Sequence, residues 1–201
     1  MDWKAWRNCL NCGQPWRGAL CRSCTPGHVW RVPQQIPGIR SCWTLSAYEL
    51  RLGDAVRTAK QPGGRALAVA IARRFAQRMT PLVHSGQFAS LMPVPSPWTR
   101  RAKRGFHLPS LLARALSVST EVPVTEGLRI APGRRQAGLN RAQRLVNLRK
   151  RLRSTRPVQG RVLLIDDVWT TGATAQACAK ELLGDQTEEV HIATLCVTCR
   201  A

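Results

Sequence analysis

The stretch Val162-Leu163-Leu164-Ile165-Asp166-Asp167-Val168-Trp169-Thr170-Thr171-Gly172-Ala173-Thr174 constrains this chain more than any other. Four branched apolar residues in a row predict a buried parallel strand. Two carboxylates stand at its carboxyl end. A loop of small residues, Thr170 to Thr174, then opens a helical pattern. A strand-to-helix turn of this kind aims backbone N–H groups and hydroxyls at an anion beside a helix N-terminus. The acidic pair repels phosphate. It suits sugar hydroxyls, or a magnesium ion held through water. Carboxylates for a ribose beside a cradle for its 5′-phosphate predict a ribose-5-phosphate site.

Length and charge bound the rest. The chain has 201 residues, enough for one α/β domain and a small appendage. We expect the appendage and a linker over 1–40 and the main domain over 41–201. No apolar run reaches the length of a membrane-spanning helix, so no membrane insertion is expected. The N-terminus lacks a signal-peptide core, which predicts a cytoplasmic protein with reduced thiols. The net charge is +20, and residues 100–161 carry sixteen Lys/Arg against two acids. Such a segment implies a polyanionic partner, either nucleic acid or pyrophosphate. A solvated Arg-rich surface would show the same composition.

Eight cysteines in a reducing compartment suggest metal rather than disulfides. Cys9-Leu10-Asn11-Cys12 and Cys21-Arg22-Ser23-Cys24 form two C-x2-C turns. Together they can present four thiolates to one tetrahedral ion and leave no open position, the pattern of a structural zinc. The surrounding segment is too short to bury a core, so the metal would supply folding energy. Trp3, Trp6, Trp16 and Trp30 are expected to cover this knuckle or to pack on the main domain. Cys196-Val197-Thr198-Cys199, within an alternating strand pattern, reads as structural.

Between these motifs, residues 26–40 read as a Pro- and Gly-rich crossing. A strand or turn is expected over 42–48, followed by helix to Thr58. Lys60-Gln61-Pro62-Gly63-Gly64 reads as a loop. Leu67, Ala68, Ile71, Ala72 and Phe75 recur at helical spacing and predict a helix over 65–79. A strand is expected over 88–95, and a helix marked by Leu108, Leu112 and Leu116 follows. Residues 133–157 read as polar, Arg-rich helix and loop. The motif strand over 161–165, a helix over 173–183 and a strand over 189–197 complete the chain. Strands alternating with helices predict a mainly parallel sheet flanked by helices. Ligands of such sheets bind at the carboxyl ends of strands, where Asp166 to Thr174 fall.

The string from Val162 to Thr174 resembles the phosphoribosyl pyrophosphate (PRPP) motif of type I phosphoribosyltransferases. Taken with the knuckle, the Lys60 loop and the Pro93-Val94-Pro95 strand, the order of motifs resembles the ComF family, including its GntX-like members. Tyr48 through Lys60, Arg100-Arg101-Ala102-Lys103-Arg104-Gly105-Phe106, and Gln136, Leu139, Arg144 and Asn147 are similar to further family segments. Where the family has Asn-Gln after Arg-Gly-Phe, this chain has His107-Leu108. The resemblance implies a type I phosphoribosyltransferase-like α/β fold with an N-terminal four-Cys zinc module. It implies that Asp166 and Asp167 hold the ribose and orient magnesium, and that Thr170, Thr171, Gly172, Ala173 and Thr174 cradle the 5′-phosphate. Lys60 would contact pyrophosphate or stand as a plain surface lysine, and Arg101, Lys103 and Arg104 would close over pyrophosphate or track a DNA backbone. The implied function is PRPP binding by a competence protein that handles imported single-stranded DNA, with a helicase-like partner. The alternative is an active phosphoribosyltransferase whose acceptor the residues do not name.

Overall fold

The computed structural model describes residues 8–25, 28–33, 35–97, 102, 104–131, 151–184 and 186–198. In chain order its elements are β1 (Trp30–Arg31), β2 (Cys42–Ala47), α1 (Arg51–Ala59), α2 (Arg65–Gly86), β3 (Ser90–Pro93) and α3 (Leu108–Thr120). After these come β4 (Leu128–Ile130), β5 (Leu152–Ser154), β6 (Gly160–Trp169), α4 (Ala173–Leu182) and β7 (Thr187–Val197). A 3-10 turn, Arg22–Cys24, precedes them.

The sheet runs in the order β1-β2-β7-β6-β3. β2, β7, β6 and β3 are parallel, and β1 adds an antiparallel edge. The fold is therefore α/β with a mainly parallel sheet, as the alternation of patterns predicts. Val162, Leu163, Leu164 and Ile165 are fully buried, because β6 is covered on both faces. The pleat sends alternate side chains to opposite sides. Leu163 and Ile165 join a core with α1, α2, α3 and three of the knuckle cysteines. Val162 and Leu164 join a second core with α4 and residues of the β4–β5 hairpin.

Several elements differ from the sequence reading. β1 lies inside the expected 26–40 crossing, paired with Trp43 and Thr44. α2 does not stop at 79 but continues through Pro81 to Gly86. Pro81 is exposed, so the carbonyl it fails to bond meets water. Val83 beyond it is buried and holds the last turn against the core. Within the Arg-rich stretch, residues 152–154 form a strand paired with β4. Leu152 alone points inward there, fully buried between half-buried Arg151 and exposed Arg153. β6 extends past 165 to Trp169, which moves the acidic pair from the end of a strand into one.

No helix among the described residues is long and apolar enough to cross a membrane.

Candidate ligand site at the carboxyl edge of the sheet

Because β6 continues through Asp166 and Asp167, its pleat sends the two carboxylates to opposite faces. Asp167 follows Ile165 toward the α1 side. There Lys60, the residue after α1, places its Nζ 2.8 Å from Asp167 Oδ1. The two side chains keep 21% and 17% of their exposure, a shielded pair with access from solvent. Asp166 follows Leu164 toward the α4 side. Its Oδ1 accepts the Asp167 N–H at 2.8 Å. Burial, with the charge of Asp167 second, pushes the Asp166 carboxyl up to about 8.

Lys60 also lines a cleft of about 340 Å³ with Arg57, Gln61, Pro62 and Arg104. Arg57 lies one helical turn before Lys60 on the same face. Its guanidinium pairs with Asp54 and sits 4.9 Å from the centre of the Tyr48 ring. The cleft is thus walled by three basic side chains, a setting for an anion of more than one charge. The sequence reading leaves out Arg57. Its spacing of three residues from Lys60 on a helical segment was the available signal.

The loop from Thr170 to Thr174 forms the turn into α4. Gly172 caps the helix at φ 72°, the left-handed region. A Cβ there would stand 2.7 Å from Ile36 Cδ1 and 2.9 Å from Trp169 Cζ2. Packing and backbone conformation thus both demand this glycine. Trp169 is buried at the root of the turn, and its carbonyl accepts the Thr198 N–H at 2.9 Å. Thr170 is exposed, while Thr171, Ala173 and Thr174 are half-buried. The Ala173 N–H donates to Thr171 Oγ1 at 3.4 Å. Gly172, as the N-cap, offers no side chain to the first turn of α4.

Of the residues expected to face pyrophosphate, Lys60 and Arg104 meet in the cleft. Arg101 and Lys103 lie outside the described residues, as do Gln136, Leu139, Arg144 and Asn147. His107 stands at the N-cap position of α3 without a side-chain capping bond, and its Nδ1 lies 2.8 Å from Ser110 Oγ.

The N-terminal cysteines form the second centre. The sulfurs of Cys9, Cys12, Cys21 and Cys24 all lie within 4.8 Å of one another. Cys12 and Cys21 are 3.7 Å apart, sulfur to sulfur. Four sulfurs held at about 2.3 Å from one tetrahedral ion stand about 3.8 Å apart, so the cage fits a metal ion. Its outer contacts are in place. The Cys21 N–H donates to Cys9 Sγ at 3.4 Å, and Asn11 Nδ2 donates to Cys24 Sγ at 3.3 Å. Asn11 Nδ2 also reaches the Arg51 carbonyl at 3.1 Å, at the start of α1. Trp16 packs against the core beside the cage, whereas Trp30 is 48% exposed on β1. Trp3, Trp6 and Cys199 lie outside the described residues. Cys196 is buried in β7.

No family model matches the sequence, and no curated protein matches it. The chain is similar in structure to a glutamine PRPP amidotransferase from B. subtilis, at 22% identity and a TM-score of 0.44 over 65% of this chain. It spans 27% of that longer chain. It is also similar to a purine phosphoribosyltransferase from Pyrococcus horikoshii Ot3, at 17% identity and a TM-score of 0.42, covering 65% of this chain and 78% of that one. A third is an orotate phosphoribosyltransferase from Aeropyrum pernix, at 15% identity and a TM-score of 0.34, covering 84% and 89%. These likenesses assign no ligand, partner or activity to this chain.

Proposed function

We propose that this chain binds PRPP together with magnesium at the carboxyl edge of the sheet. The observation that carries the reading is the ion pair of Asp167 with Lys60, whose side chain lines a cleft with Arg57 and Arg104. In this reading Asp166 and Asp167 hold the ribose hydroxyls and orient magnesium. The turn from Thr170 to Thr174 takes the 5′-phosphate on the N–H groups of α4. Lys60, Arg57 and Arg104, with Arg101 and Lys103, receive the diphosphate. Magnesium, when bound, neutralises diphosphate charge. Zinc fits the four-cysteine cage as a structural ion.

Titration calorimetry with PRPP and magnesium, run beside Asp167→Asn, tests the proposal. Saturable binding that the substitution abolishes is expected. A wild type that does not bind would overturn it.

The ComF resemblance extends the proposal to handling of single-stranded DNA in natural transformation, beside a helicase-like partner. Arg129, Arg153 and Arg156 are exposed on and next to the β4–β5 hairpin, and they would track a phosphate backbone. Oligonucleotide affinity should then fall steeply with salt. Affinity that ignores salt would remove the DNA part and leave the PRPP site standing.

The second reading is transfer of ribose 5-phosphate from PRPP to an acceptor. It is favoured by the cations gathered where the departing pyrophosphate would sit. Pyrophosphate release that depends on an added nucleobase or amine would establish it.

A further inference from the structure

Lys60 holds two positions at once. Its ammonium is bonded to Asp167 at 2.8 Å, and its side chain forms part of the cleft wall with Arg57 and Arg104. Asp167 is the carboxylate on the α1 side of β6, and its Oδ1 is already taken. Among the described residues, Lys60 is the cation in ion-pair contact with it. A metal ion approaching Asp167 competes with this ammonium, because two cations held on one carboxylate repel each other. An anion entering the cleft draws the same ammonium the other way. Lys suits this exchange: a compact charge on a flexible four-carbon stem, with three donors and no fixed fork.

We infer that Lys60 is a stand-in cation for the divalent metal. In the free protein it closes Asp167. When a diphosphate enters the cleft, Lys60 turns to it, and Asp167 opens to the metal. This rests on the reading of Asp167 as a metal-orienting and ribose-holding residue, and adds an order to it: the metal alone is a poor ligand, and diphosphate makes it a good one. The advantage is selectivity. A site built this way does not fill with free magnesium, and the metal arrives with its phosphate ligand.

The test uses two probes that do not chelate each other because each is applied alone. Manganese, without phosphate, is titrated against wild type and Lys60→Gln, with free ion read by electron paramagnetic resonance. Pyrophosphate, in the presence of a chelator, is titrated against both by calorimetry. The stand-in predicts opposite signs. Lys60→Gln should bind manganese alone about 10-fold more tightly and pyrophosphate about 10-fold more weakly, each corresponding to about 1.4 kcal/mol. The manganese gain should vanish in Lys60→Gln/Asp167→Asn. Unchanged manganese affinity with weakened pyrophosphate would overturn the exchange and leave Lys60 a plain anion contact. Loss of both affinities would make it a structural tie, which also overturns it. Matched thermal unfolding of the two proteins guards against misfolding. Failure of the underlying reading looks different: wild type with PRPP and magnesium together would show no binding, or Asp167→Asn would bind as wild type does.

Discussion

Asp166 sits in a poor place for a charge, and replacing it should make the protein more stable. Burial, followed by the neighbouring Asp167 charge, raises its carboxyl from the usual 3.8 to about 8, while the Asp167 N–H and Lys60 pull it down. The native chain thus keeps a proton that the unfolded chain has released above about pH 4. Across the window from about pH 4 to pH 8, stability falls as pH rises, by at most about 1.4 kcal/mol per pH unit. The ceiling is about 6 kcal/mol over the whole window. Asp166 is half-buried rather than sealed, and water relaxes much of the penalty, which leaves about 2–3 kcal/mol. Asp166→Asn keeps the shape of the side chain and an oxygen for the Asp167 N–H, and has no charge to desolvate. The variant should exceed wild type by about 2–3 kcal/mol at pH 8.5, or about 5–10 °C in Tm for a chain of this length. Its advantage should shrink steadily toward pH 5. Urea unfolding of both proteins at half-unit pH steps measures this. A difference that does not vary with pH, or a variant less stable at pH 8.5, would refute the reasoning. The same variant should lose PRPP affinity, the usual exchange of stability for function at a binding carboxylate.

Gly172→Ala should destabilise by at least about 2 kcal/mol in urea unfolding, because the left-handed backbone and the crowding by Ile36 and Trp169 act together; a neutral result would mean the turn relaxes freely. Cys24→Ser should abolish tight metal binding, read by metal content after dialysis, and expose Leu20 and Cys21 to proteolysis, since the cage and its packed neighbours share one core. Retention of one metal ion per chain would count against a four-cysteine site. Asn11→Ala should keep the metal yet weaken pyrophosphate binding several-fold, because Asn11 ties the Cys24 sulfur to the Arg51 carbonyl at the head of the helix that ends at Lys60. Calorimetry beside metal analysis separates the two effects, and unchanged pyrophosphate affinity would deny the link.

How much of this was readable beforehand depended on whether the interacting residues are close in sequence. The strand, turn and helix from Val162 to Leu182 were legible because their hydrophobic runs, small-residue loop and helical spacing are contiguous. The cysteine cage was legible because two C-x2-C turns carry their own geometry. The Lys60–Asp167 contact was not. It depends on β7 being inserted between β2 and β6, and no local pattern specifies that order. Nor was the divergence of Asp166 and Asp167, because it follows from how far β6 extends, and strand ends are set by the neighbouring strand. Asp166 and Val168 stay in the ladder because Thr194 and Cys196 of β7 are there to pair with them. Once that extension is known, the pleat assigns the acids to different partners: Asp167 to Lys60 at the end of α1, Asp166 to the side of α4. α1 then gains a role that its short, polar sequence did not announce. Asn11 holds its first residue to the cage, and the residue after its end holds Asp167. Nine residues of helix thus join the four-cysteine cage to the basic cleft, with Asn11 the contact at one end and Lys60 the contact at the other.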